Sequence, residues 1–196
     1  MHGLINRSLQ CFLRDTYGAA LWARVAHEAR LGFDSFEPML VYEPGLTTAV
    51  LTEAARILGK PQEVLLEDLG TYLVSHPSTE AVRRLLRFGG VSFFDFLHSL
   101  EDLPERGRLA VPDLDLPEMD LSDLGNGEYR LAVASPVAGA GHVIMGLLRA
   151  MADDYGALVL LDHEGLMGEA EDIHVHLLDH SHSSGRRFDL SGWATP

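Results

Sequence analysis

Cysteine is nearly absent: Cys11 stands alone among 196 residues, so no intrachain disulfide can form and the chain fits a reducing compartment. Cationic side chains are also scarce. Lys and Arg number 15 against 29 Asp and Glu, a formal net charge of −14, and that field opposes nonspecific binding to nucleic acid or to an anionic membrane. Long apolar runs are missing too. Ala157 to Leu161 is among the longest, far short of the roughly 20 apolar residues that cross a bilayer. The amino terminus interrupts its apolar stretch with Asn6, Arg7, Ser8 and Gln10, and so lacks the core of a signal peptide. These absences predict a cytoplasmic protein with neither nucleic acid nor membrane as partner. What is present, 46% hydrophobic and 22% charged residues, is ordinary globular composition at about the length of one domain.

The first part of the chain carries helical periodicity. Leu9, Leu13, Leu21-Trp22, Val25-Ala26 and Ala29 recur at helix spacing, with a junction at Tyr17-Gly18. Leu46, Val50-Leu51, Ala54-Ala55 and Leu58 form a second stripe, stopped by Gly59-Lys60-Pro61. Further helices are expected over Val64–Val74, Thr79–Phe88 and Phe93–Leu103, the last ending or kinking at Pro104, whose ring removes a helical hydrogen bond.

From Val111 onward the alternating Asp113-Leu114-Asp115-Leu116 with Pro112 and Pro117 reads as an extended acidic connector, a solvated loop running to Asp123. Strands are expected over Tyr129–Ala134, Leu158–Leu161 and Ile173–Leu178, with an amphipathic helix over Val143–Tyr155. Helices first and a small antiparallel sheet after them make an α+β architecture.

In this order and spacing the chain resembles the heme NO-binding (H-NOX) family, which includes the regulatory domain of the soluble guanylate cyclase β subunit. The likeness rests on Met1-His2-Gly3-Leu4-Ile5-Asn6, on Tyr17-Gly18 followed by Trp22, on Phe96-Leu97, Leu100, Pro112 and Pro117, and on Gly146-Leu147-Leu148. It implies an H-NOX-like fold: a helical lobe over 1–62, an α/β lobe over 63–180 and a polar tail over 181–196. It also implies a cytoplasmic, bacterial-type sensor in signal transduction rather than an enzyme. Family members hold heme through a histidine on a proximal helix and a Tyr-x-Ser-x-Arg motif. They relay NO or O2 binding to a partner such as a cyclase, a histidine kinase or a cyclic-di-GMP enzyme.

Both heme-holding places differ here. Counted without gaps from Phe96-Leu97 to Pro112 and Pro117, the ligand position is Pro104, which has no side-chain lone pair for iron. The propionate motif reads Val133-Ala134-Ser135-Pro136-Val137, so a phenol and a guanidinium are replaced by side chains that cannot neutralise carboxylates. Ile5, Pro104, Pro117, Val133, Ser135 and Val137 are therefore expected around a changed pocket without histidine-ligated heme. Such a pocket suits another hydrophobic or tetrapyrrole ligand, or a domain acting through its protein partner alone. His98 and His142 are the alternative heme ligands for an NO/O2 sensor, with His2 and His76 as further candidates; each also fits an ordinary hydrogen-bonded histidine. Independently, His174, His176, His180 and His182 have the density of a metal site, though His174-Val175-His176 also fits a solvent-facing strand. Ser135 lacks a Gly-x-Ser-x-Gly context and supports no nucleophilic triad.

Overall fold

The computed structural model describes residues 1–179. In chain order the elements are α1 (Gly3–Tyr17), α2 (Ala19–Glu28), α3 (Pro44–Leu58), α4 (Gln62–Ser75), a 3-10 turn (Pro77–Thr79), α5 (Glu80–Arg87), α6 (Phe93–His98) and α7 (Leu103–Ala110). They continue with β1 (Glu118–Gly125), β2 (Glu128–Ala134), α8 (Ala140–Tyr155), β3 (Leu158–Met167) and β4 (Ala170–Asp179). The strands form one antiparallel sheet in the order β1-β2-β4-β3, the expected α+β arrangement.

Local chemistry sets the helix ends. His2 caps α1, its Nδ1 accepting the Leu4 N–H at 3.1 Å. Gly3 beside it leaves room for the Glu37 carbonyl, with which a Cβ would collide. Gly18, at φ 94°, ends α1 by donating to Arg14 O and lets α2 start at once. Pro44 opens α3 at a position whose N–H needs no partner, and Gly59 closes it in the left-handed conformation.

Two apolar clusters form the core. The first gathers Leu9, Phe12, Leu13, Trp22, Val25, Phe36, Val50 and Leu51 with Leu65, Leu69 and Tyr72 of α4. The second packs α5, α6 and α7 and the inner face of the sheet around α8. There Leu131 and Val133 of β2 and Ile173, Val175 and Leu177 of β4 lie against Ile144, Leu148 and Met151. The helix expected to open the second lobe thus packs mostly into the first, adding only Val74 to the second. α4 and α8 cross with their backbones in contact. A Cβ on Gly70 would lie 2.8 Å from Leu147 N, and one on Gly146 would lie 2.8 Å from the Glu67 carbonyl carbon.

Three expectations need correction. The acidic segment is not wholly a loop, because residues 118–125 form β1, paired with β2 from Glu118↔Ala134 to Gly125↔Glu128. β3 runs on past Leu161 to Met167, since an edge strand tolerates Asp162, His163 and Glu164 on a half-wet surface. The expected helix over Phe93–Leu103 stops at His98, and α7 begins at Leu103.

Candidate functional site

The helix break places Pro104 in the first turn of α7, where a missing N–H costs nothing. Ser92 and Asp95 open α6 with a reciprocal capping box, and the chain turns through Ser99–Asp102. There Arg106 donates to Ser99 O at 2.9 Å, satisfying a carbonyl that a continuous helix would have used. Pro104 itself is buried beside Leu103 and Leu100. His98 is exposed, its ring 4.5 Å from Phe94 and 6.1 Å from Tyr129 between centroids. It points away from the interior.

Val133 is fully enclosed in the sheet core. Ser135 Oγ accepts the Val137 N–H at 3.1 Å, so the hydroxyl shapes the loop between β2 and α8. Next to that loop is a cavity of about 490 Å³, bounded also by the start of α4 and by β3 and β4. Of the six expected pocket residues, Val133 and Ser135 line it, and Val137 lies on the adjoining loop; Ile5, Pro104 and Pro117 are not part of its wall. Its charged lining is acidic, with Glu63, Glu169 and Glu171 and no lysine or arginine. The cavity wall thus carries three carboxylates and no guanidinium, and Pro104, outside it, has no side-chain nitrogen. The residues at these positions do not fit heme as a proximal histidine and an arginine clamp hold it.

His142 does face this cavity, from the first turn of α8. Its ring stacks on that of His163 with centroids 4.1 Å apart and planes at 19°. His163 Nε2 lies 2.9 Å from Glu171 Oε2, and Glu171 Oε1 accepts the Gly139 N–H at 2.9 Å. The two imidazoles and the carboxylate form a compact donor cluster whose atoms all lie within 4.8 Å of one another. The sequence did not single out His163 or Glu171. They meet through strand pairing: His163 stands opposite Ile173, two residues along β4 from Glu171, and Val133 stands opposite Glu171. As far as His163 the odd-numbered residues of β3 share the inner face with those of β4, a period that a β3 extended past Leu161 exposes; beyond it a bulge shifts the register and sets Leu166 opposite Glu171.

The other candidate histidines have structural engagements. His2 caps α1, and His76 caps the 3-10 turn, bonds Ser78 Oγ at 2.7 Å and stacks on Tyr72. His174 and His176 lie on the outer face of β4, alternating with buried Ile173, Val175 and Leu177, and His174 approaches Glu128 at 4.0 Å. His180 and His182 fall outside the described residues. No helix among the described residues is long and apolar enough to cross a membrane.

Comparison with known proteins completes the picture. A family model described as haem-NO-binding matches residues 2–163. Soluble guanylate cyclase 89Da of Drosophila melanogaster is 22% identical over 158 residues, covering 81% of this chain and 24% of its own length. Soluble guanylate cyclase gcy-31 of Caenorhabditis elegans is 22% identical over 196 residues, covering 99% and 28%. The chain therefore spans about a quarter of the length of these relatives. Among solved structures, the Fe(II) unliganded H-NOX protein from K. algicida superposes with a TM-score of 0.78 at 14% identity, covering 96% of this chain and all of that one. The S. oneidensis H-NOX protein in the Fe(II)NO state gives 0.76 at 16% identity, covering 91% and 100%. At such identities the likeness shows the fold.

Proposed function

The chain belongs to the haem-NO-binding family, a family of sensor domains, and from that premise we propose that it is a sensory domain of a signalling system that works without histidine-ligated heme. One observation carries the proposal. In our ungapped register with the family's proximal helix the ligand position falls on Pro104, which lies in the first turn of α7 and has no side-chain nitrogen to present. The valines at 133 and 137 and the acidic lining of the adjacent cavity support it, because no lysine or arginine there clamps a propionate. Signal transfer then rests on a different hydrophobic or tetrapyrrole ligand, or on the partner alone. A ligand acts only by binding two arrangements of the lobes unequally. The natural hinge is α4, whose side chains enter both clusters. The partner is a signalling protein: a cyclase, as the names of the curated relatives suggest, or a histidine kinase or cyclic-di-GMP enzyme.

The test is expression of the chain with heme precursor supplied, followed by absorption spectroscopy of the reduced protein with and without NO. The expected result is a heme content well below one equivalent and no five-coordinate, histidine-like ferrous spectrum. A stoichiometric Soret band with those ferrous features refutes the proposal. If that band disappears in His142→Ala, the sensor with a substituted iron ligand is the correct account.

A further inference from the structure

We propose that His142, His163 and Glu171 bind a divalent transition-metal ion of the zinc class, independently of any tetrapyrrole. The three donors come from three elements, α8, β3 and β4, and converge at the wall of the cavity. Their side chains are only 17%, 16% and 12% exposed, so the cluster is built into the fold. Imidazole and carboxylate are ordinary zinc ligands at about 2.0–2.2 Å, which separates ligand atoms across a tetrahedron by about 3.4 Å. His163 Nε2 and Glu171 Oε2, 2.9 Å apart, share a proton. The ion takes that proton's place between the two atoms, and His163 then carries its ring proton on Nδ1. The His142 ring, stacked on that of His163 with planes at 19°, turns about its side-chain torsions so that its in-plane lone pair meets the ion as the third donor, and the cavity side is left for water as the fourth.

The groups behind the ligands are also in place. Glu171 is fixed by the Gly139 N–H at 2.9 Å. Glu67 Oε1 lies 3.5 Å from His142 Nδ1, and Arg149 holds the other Glu67 oxygen at 3.0 Å. His142 Nδ1 is buried and has no hydrogen-bond partner among the described residues. A metal on Nε2 fixes the proton on Nδ1, directed at Glu67, and thereby resolves that unmet contact. Gly141 makes the room: a Cβ there would lie 2.7 Å from Glu171 Oε2 and 2.8 Å from His163 Nε2. Two imidazoles, one carboxylate and an open position would otherwise be an expensive grouping to half-bury.

The full chain, stripped with chelator and kept heme-free, is titrated with zinc chloride by calorimetry and with cobalt(II) by absorption. The expected result is one equivalent of zinc and the intense visible bands of four-coordinate cobalt. His163→Ala and Glu171→Gln each weaken zinc affinity by about tenfold or more. Gly141→Ala does the same, because its Cβ displaces Glu171 Oε2 and His163 Nε2. His174→Ala with His176→Ala leaves affinity unchanged. NMR of the unsubstituted chain gives a readout that no folding defect confounds, with zinc shifting the imidazole signals of His142 and His163. Absence of stoichiometric zinc uptake, uptake that survives combined His142→Ala and His163→Ala, or loss only on substitution of His174 and His176 overturns the proposal. A heme-free titration leaves the heme reading untouched either way.

Discussion

Gly146→Ala places one methyl group at the crossing of α4 and α8, the contact that joins the two halves of the core. The added carbon meets backbone, with the Glu67 carbonyl carbon at 2.8 Å and its Cα at 3.0 Å. Ordinary carbon contacts lie at about 3.5–4.0 Å, so the helices must separate by about 1 Å. No rotamer change relieves this, because neither colliding atom belongs to a side chain. The cost therefore falls near the upper end for overpacking, about 3 kcal/mol. Alanine in a helix interior returns about 1 kcal/mol relative to glycine. The net destabilisation is about 2 kcal/mol, equivalent to a melting temperature lower by about 4–8 °C for a chain of this size. Differential scanning calorimetry of Gly146→Ala against Gly45→Ala measures it. Gly45, inside α3, has nothing within 4 Å of its would-be Cβ, so its variant should hold or raise the melting temperature. If Gly146→Ala melts no lower than Gly45→Ala, the backbone-to-backbone packing argument is wrong.

Two other perturbations probe the second cluster. Asp154 is buried on α8, with Arg83 Nε at 3.0 Å and Arg87 Nε at 3.5 Å. Asp154→Ala removes the buried carboxylate that both guanidinium groups approach, and urea denaturation should show a loss of about 3 kcal/mol; a loss below about 1 kcal/mol contradicts the buried-pair account. Burial pushes the Tyr155 phenol above its ordinary value of 10.0, with Asp154 and Asp95 adding to the rise against Arg87. A phenol that ionises later in the folded state contributes stability fully below pH 10 and loses it as pH rises through the folded value. Tyr155→Phe should flatten that alkaline decline, at a cost of about 1 kcal/mol at neutral pH for the bond to Gly90 O. An unchanged alkaline slope counts against it.

Much of the fold was legible because its elements obey one period at a time. The stripe ending at Gly59 and the helix holding Leu147 and Leu148 needed only apolar spacing and a stop signal. β1 was hidden by its charge: Glu118, Asp120 and Asp123 look like solvated connector, yet Met119 alternates with them and is buried. β3 continues past its first polar residue, Asp162, as edge strands can, and an apolar run that ends at Leu161 does not reach His163. The donor cluster was illegible for a deeper reason. His142, His163 and Glu171 are brought together by sheet register and by the absence of a side chain at Gly141, neither of which spacing along the chain reports.

The central claim, that the residues at 104, 133 and 137 remove histidine-ligated heme, is tested most directly by restoring them together. Heme content and ferrous spectra are measured for the unaltered chain and for Pro104→His combined with Val133→Tyr and Val137→Arg, both expressed with the same heme supply. The account predicts little heme in the unaltered chain and a gain toward one equivalent, with a five-coordinate ferrous spectrum, in the triple variant. One equivalent of heme already present in the unaltered chain, with a spectrum the substitutions leave unchanged, would contradict it.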